Sequence, residues 1–252
     1  MPTVPVAGTD LRVVDTPGDD PALVLLNGGF ASLNRWRPVL GSLAGRYRTV
    51  QFEARTRRRT GVPAGYSIGA AVDDVARVVE ATGVVRPVLV GWSYGATAAV
   101  RYAAEHPGDV AGLVLVDGAW PVSVLDASGH GDVGHLFRRL PWHTRAAAAL
   151  GLVTPPTPAE IADVVLDMDA VNGELAADFT ALTCPATFVL GSGGHAPASE
   201  SEMQRVRFAA AWAAEGSRVS VFAVAPGDHT RILSRSPDLV VAAIDDVVSQ
   251  AW

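Results

Sequence analysis

Lysine is absent from the 252 residues, so all 20 basic side chains are arginine. Charged residues of either sign make up only 18% of the chain, and the net charge is −6. Such a balance gives no general attraction to nucleic acid or to an anionic membrane. Cysteine occurs once, as Cys184. An internal disulfide is thereby excluded, and no Cys/His set has the spacing of a zinc site. Cys184 precedes Pro185 at the start of an apolar run and reads as a small core residue. No apolar run reaches the roughly 20 residues of a membrane span. The first residues, MPTVPVAGTDLRVV, lack the basic-then-apolar order of a secretory signal. The cytoplasm is therefore the expected location. No metal or organic cofactor is indicated, since the nearest phosphate-loop pattern lacks its lysine.

Apolar residues supply 49% of the chain. That is enough for one large core in a single domain spanning 1–252. The pattern runs strand, loop, helix, and repeats. TVPV and LRVVDT flank Gly8 and Thr9 as an opening hairpin. ALVLLNGG (22–29) is a continuous apolar run of the kind buried on both faces. A short helix over WRPVLGSLAGRY and a strand over 48–54 follow. Ile68, Val72, Val75, Val78 and Val79 then have helical spacing up to Gly83. Further strands are expected at PVLV, at 111–118, at 184–194 and at 217–229, with a closing amphipathic helix over PDLVVAAIDDVVSQAW. This alternation predicts a mostly parallel sheet covered by helices on both faces. Between 118 and 183 no β-like run occurs. That stretch reads as a helical insertion, with Thr157 and Glu160 forming a capping box.

The pattern G-x-S-x-G occurs twice, as GYSIG (65–69) and GWSYG (91–95). It marks a nucleophilic serine only where a strand runs through a cramped turn into a helix, with small residues around the serine. Ser93 has the strand RPVLV before it, Gly91, Gly95 and Ala96 around it, and a helical run after it. Ser67 follows a loop and stands where a serine caps a helix. Ser93 is therefore the candidate nucleophile.

These features resemble the α/β-hydrolase fold family over about residues 10–250. The strand-turn-helix at 87–106 carries most of the likeness. LLNGGFASLNRW is similar to the family's oxyanion loop, and GDHTRILSRSPDLV to the segment that delivers its histidine. The insertion at about 118–183 lies where the family carries a cap. The resemblance implies an eight-stranded, mostly parallel sheet with a small helical cap. It also implies a backbone oxyanion site at the N–H groups of Phe30 and Tyr94. Asn27 stands where the family usually has histidine, and Gly29 lets the loop come close.

A serine hydroxyl needs a base. His229 follows the last strand on the edge where all strands end. His195 also follows a strand and competes with it, while His106 ends a helix and His130, His135 and His143 lie in the insertion. For the acid, the usual place reads VLGSGGHAPASE, with no carboxylate before Glu200. Asp117, at the end of the strand GLVLV, fits the chain order Ser93, Asp117, His229. Glu200, Glu202 or no acid at all are the alternatives. EARTRRRTG departs from the family's Asp-x-Arg-Gly-x-Gly-x-Ser, keeping only Glu53 and Arg55 in role. Arg57, Arg58 and Arg59 make either a solvated loop with internal ion pairs or a receptor for an acidic substrate group or acidic carrier protein. Trp92, Trp120, Phe137 and Trp142 either line an apolar pocket or belong to the core. The expected function is a serine hydrolase for a small ester, lactone or thioester. A cofactor-independent lyase, cyclase or oxygenase is the alternative, and a non-catalytic binding protein a third.

Overall fold

The computed structural model describes residues 3–57, 65–124, 157–193, 200–215 and 218–251. The opening hairpin pairs β1 (Thr3–Val6) with β2 (Thr9–Thr16) about Gly8, whose φ of 82° suits the turn. Six strands follow: β3 (Asp19–Leu26), β4 (Tyr47–Phe52), β5 (Val88–Trp92), β6 (Gly112–Val116), β7 (Ala186–Gly191) and β8 (Val219–Ala225). They form one eight-stranded sheet in the order β1-β2-β4-β3-β5-β6-β7-β8. The β1–β2 and β2–β4 pairs are antiparallel and the rest are parallel. Strands β5, β6 and β7 are buried along their whole length, as continuous apolar runs in a parallel sheet require.

The described residues form seven α-helices. These are α1 (Arg37–Leu43), α2 (Ile68–Thr82), α3 (Tyr94–Glu105), α4 (Pro158–Ala181), α5 (Glu200–Ala213), α6 (Ile232–Arg235) and α7 (Pro237–Ala251). One core joins the sheet to α2, α3 and α4 through residues such as Val72, Val75, Val100 and Leu175. A second, on the other face, joins it to α1 and α7 through Trp36, Val39, Leu43, Val240 and Ile244. The chain goes from β3 to β4 on one side, then crosses back to β5 on the other. Loops leaving the carboxyl ends of β3 and β5 therefore flank a crevice at the point where the strand order reverses.

Ser67 is the N-cap of α2, with its side chain accepting from the Ala70 N–H at 3.2 Å. α4 begins with the expected capping box: Thr157 Oγ1 accepts from the Glu160 N–H, and Glu160 Oε2 from the Thr157 N–H at 2.6 Å. α4 rests on α3, where Thr97 donates to Asn172 Oδ1 at 2.8 Å. This helix forms most of the described part of the helical insertion, whose residues 125–156 lie outside the described residues. α5 has no counterpart in the sequence reading. Its Phe208 is 75% exposed, so its apolar residues do not trace the single buried face that periodicity detects. Cys184 is buried, and burial pushes its thiol up to about 11, leaving it protonated at neutral pH. Among the described residues no helix is long and apolar enough to cross a membrane.

Candidate active site

Ser93 occupies a backbone conformation with φ 56° and ψ −121°, which L-residues seldom adopt. The turn around it is held by crowding. A Cβ on Gly91 would stand 2.5 Å from Ala96 Cα, and one on Gly95 2.3 Å from the Leu26 carbonyl oxygen. The Ser93 N–H donates to the Val116 carbonyl at 3.0 Å, tying the turn to β6. Strand, glycine pair and helix together present the side chain above the sheet's carboxyl edge.

His229 Nε2 lies 2.9 Å from Ser93 Oγ, and its Nδ1 lies 2.9 Å from Asp117 Oδ2. With the Nδ1 proton donated to Asp117, Nε2 is left to accept the serine proton. Asp117 is fully buried at the end of β6. Its Oδ1 accepts from the Gly191 N–H at 2.8 Å, and its own N–H donates to the Val189 carbonyl at 2.9 Å. The end of β7 thus supplies a backbone donor, and the carboxylate reaches over from the neighbouring strand. Asp228 serves the histidine loop differently. Its Oδ1 accepts from Thr230 N–H and Oγ1 and from the Arg231 N–H, and these bonds, the Thr230 hydroxyl foremost, hold its carboxyl below the usual value. It is a turn residue and does not bond to His229.

Trp92 is buried, and its Nε1–H donates to the His229 carbonyl at 3.2 Å. Trp120 is also buried and belongs to the core on the α2–α3 face. Both rings are buried, and Trp92 additionally braces the histidine loop, its ring centroid 5.7 Å from that of His229. Phe137 and Trp142 lie outside the described residues, as do His130, His135, His143 and His195. The side chains of Glu200 and Glu202 are likewise outside them. His106 sits at the end of α3, stacked on Tyr102 with ring centroids 4.4 Å apart.

In the loop after β3 the geometry at Phe30 differs from that expected of an oxyanion donor. The Phe30 N–H donates to Thr56 Oγ1 at 3.2 Å, so it already has an acceptor. The amide beside it, that of Gly29, forms no hydrogen bond among the described residues. Gly29 also sits against Tyr94, since a Cβ there would be 3.8 Å from Tyr94 Cβ. The Tyr94 N–H is the first of α3 and has no acceptor within the helix. Residue types alone did not distinguish Gly29 from Phe30, because the difference lies in which way two adjacent peptide planes face. Asn27 is not at the open end of the cleft. It is buried and lines a cavity of about 10 Å³ with Arg55, Asp74 and Tyr94, room for one water molecule but not for substrate.

Arg55 lies in a buried ion pair. Its guanidinium makes two bonds to Asp74, Nε to Oδ2 at 2.8 Å and Nη2 to Oδ1 at 2.6 Å, and both residues are buried. Burial raises the Asp74 carboxyl above the usual carboxylate value, against the opposing pull of Arg55. The Arg55 charge is therefore committed internally and is not offered to an acidic ligand. Arg58 and Arg59 lie outside the described residues. A buried pair broken on one side leaves a charge that water cannot reach. Asp74→Asn should accordingly cost about 3–5 kcal/mol of folding stability, read from urea unfolding. An Arg55→Met/Asp74→Leu double replacement should recover part of that loss.

Among the described residues no group of three or more His, Cys, Asp or Glu is placed to hold a metal ion. Residues 21–139 match the model of the alpha/beta hydrolase fold. The chain is 36% identical over 111 residues to the putative carbamate hydrolase RutD of Variovorax paradoxus, a match covering 42% of this chain and 41% of that protein. It is 36% identical over 114 residues to epoxide hydrolase B of Mycobacterium tuberculosis, covering 42% and 32% respectively. These matches thus span well under half the length of either relative. In three dimensions the chain is similar to a thermophilic esterase from Thermogutta terrifontis, with a TM-score of 0.72 at 19% identity, covering 100% of this chain and 99% of that one. Sheet order, serine turn and these likenesses together give the chain the α/β-hydrolase fold.

Proposed function

We propose that the chain is a serine hydrolase that opens a small ester, lactone or thioester through an acyl-enzyme on Ser93. The observation that carries this reading is the unbroken relay from Ser93 Oγ to His229 to Asp117, with both contacts at 2.9 Å. Ser93 attacks the carbonyl carbon while His229 Nε2 takes its proton. The imidazolium that forms is stabilised by the buried Asp117 carboxylate. The carbonyl oxygen, now an oxyanion, accepts from the N–H groups of Tyr94 and Gly29 and lies near the positive end of α3. His229 returns the proton to the leaving group, then activates the water that opens the acyl-enzyme.

The names of the relatives bear on the substrate class. A carbamate, like an ester, has a carbonyl carbon that a serine can attack and that water can later release. An epoxide opened by a serine would leave an ether on the enzyme, which water does not cleave under mild conditions. A serine relay therefore favours acyl over epoxide chemistry. The test is a panel of p-nitrophenyl esters, a lactone, an aryl carbamate and a styrene-type epoxide. Turnover of acyl substrates and not of the epoxide is expected. Turnover of none of them by folded protein would favour a non-hydrolytic reaction on the same scaffold.

A further inference from the structure

We propose that Thr56 is a positioning residue of the oxyanion loop, holding the Gly29 amide in place by accepting the N–H of Phe30; the inference rests on the serine-hydrolase reading. Thr56 is buried, with 1% of its surface exposed, and its hydroxyl oxygen meets the Phe30 N–H at 3.2 Å. The stretch Glu53-Ala54-Arg55-Thr56 has threonine where the motif it resembles has glycine. That substitution supplies an acceptor that glycine lacks.

The Gly29 amide is held from both sides. Before it, Gly28 is pressed against Trp92: a Cβ on Gly28 would come within 2.9 Å of Trp92 Cε3. After it, the Gly29–Phe30 peptide is the one whose N–H Thr56 receives. Phe30 itself is in the left-handed region at φ 61°, and the turn closes with the Ala31 N–H on the Gly28 carbonyl at 3.1 Å. A non-glycine residue keeps that conformation only where its surroundings over-determine it. Thr56 is a firm anchor because its neighbour Arg55 is fixed to Asp74 on α2 and donates to the Gly65 carbonyl at 3.3 Å. Without the hydroxyl, the Gly29–Phe30 peptide loses that acceptor, and the adjoining Gly28–Gly29 peptide, which carries the Gly29 N–H, loses a restraint on its far side.

The experiment is the inactivation of wild type, Thr56→Val, Thr56→Ala and Thr56→Ser by a fluorophosphonate, resolved into a binding constant and a maximal rate. Valine keeps the shape and removes the acceptor; alanine does so with less crowding if valine fails to fold. The maximal inactivation rate should fall about 10- to 100-fold in the valine and alanine variants, somewhat less than the loss of a whole oxyanion donor. The binding constant should stay within about 2-fold, and serine should restore the rate to within about 3-fold of wild type. The pH profile of the rate should keep its shape, because His229 and Asp117 are untouched. A valine or alanine variant as fast as labelled wild type overturns the role of Thr56 alone. So does a serine variant as slow as valine, or a loss that merely tracks the unfolded fraction by circular dichroism. Folded wild type that is not labelled at all overturns the hydrolase reading and this inference together.

Discussion

Ser93→Ala is expected to lower kcat on an activated aryl ester by about 10⁴- to 10⁶-fold, while Ser67→Ala leaves it unchanged. The two serines share a five-residue pattern and differ in what surrounds them. Ser93 stands in a strained turn between β5 and α3, 2.9 Å from His229 Nε2. Removing its hydroxyl removes the only atom in that turn able to form the acyl bond, and the relay behind it then has no proton to take. Ser67 caps α2 in an ordinary extended conformation, with φ −64° and ψ 159°. Losing its oxygen leaves the Ala70 N–H unsatisfied and should cost about 1 kcal/mol of stability. Steady-state turnover and thermal melting, measured on both variants, should therefore give opposite patterns. Ser93→Ala should stop turnover at an undiminished melting temperature, and Ser67→Ala should do the reverse.

The second large effect is expected at Asp117. Asparagine keeps the shape of the side chain, so the fold should survive. One of its two polar atoms must face the Gly191 N–H, which donates to Oδ1 at 2.8 Å. Only the amide oxygen satisfies that donor, so the NH₂ group is turned toward His229 Nδ1. The imidazole must then accept there, which places its proton on Nε2, facing Ser93. A protonated Nε2 cannot take the serine proton. A fall in kcat of about 10⁴-fold follows, from the wrong tautomer together with the missing negative charge. Glu200→Gln, at the other acid considered from the sequence, should leave kcat at the wild-type level. A comparable loss in both variants would mean that the Asp117 contact is structural.

Much of this was legible before any coordinates, for reasons that differ from residue to residue. The sheet was readable because strands buried on both faces must be continuous apolar runs, as VLVGW and GLVLV are. The turn at Ser93 was readable because close backbone approach admits only glycine at 91 and 95. Asp117 could be placed at the active edge from the strand it ends and preferred by chain order, with Glu200 and Glu202 left as alternatives. Deciding between them depends on the Gly191 amide and on the reach between neighbouring strands. The Arg55–Asp74 pair was invisible for a related reason. Nothing around Arg55 in the sequence marks its partner, because Asp74, 19 residues away on α2, is brought beside it only by the tertiary fold. That the Phe30 N–H faces Thr56 Oγ1 could not be read, since a backbone amide carries no sequence signature of its direction. α5 went unread because its large apolar side chains include exposed ones.

A covalent acyl intermediate on Ser93 is tested most directly by mixing the protein with an activated ester, quenching with acid within the first turnover, and mapping the modified peptide by mass spectrometry. One acyl group per chain is expected, on the peptide containing Ser93, absent from Ser93→Ala and slow to form in Asp117→Asn. Ester turnover with the acyl group on another residue, or with none at Ser93 while product accumulates in a burst, would contradict it.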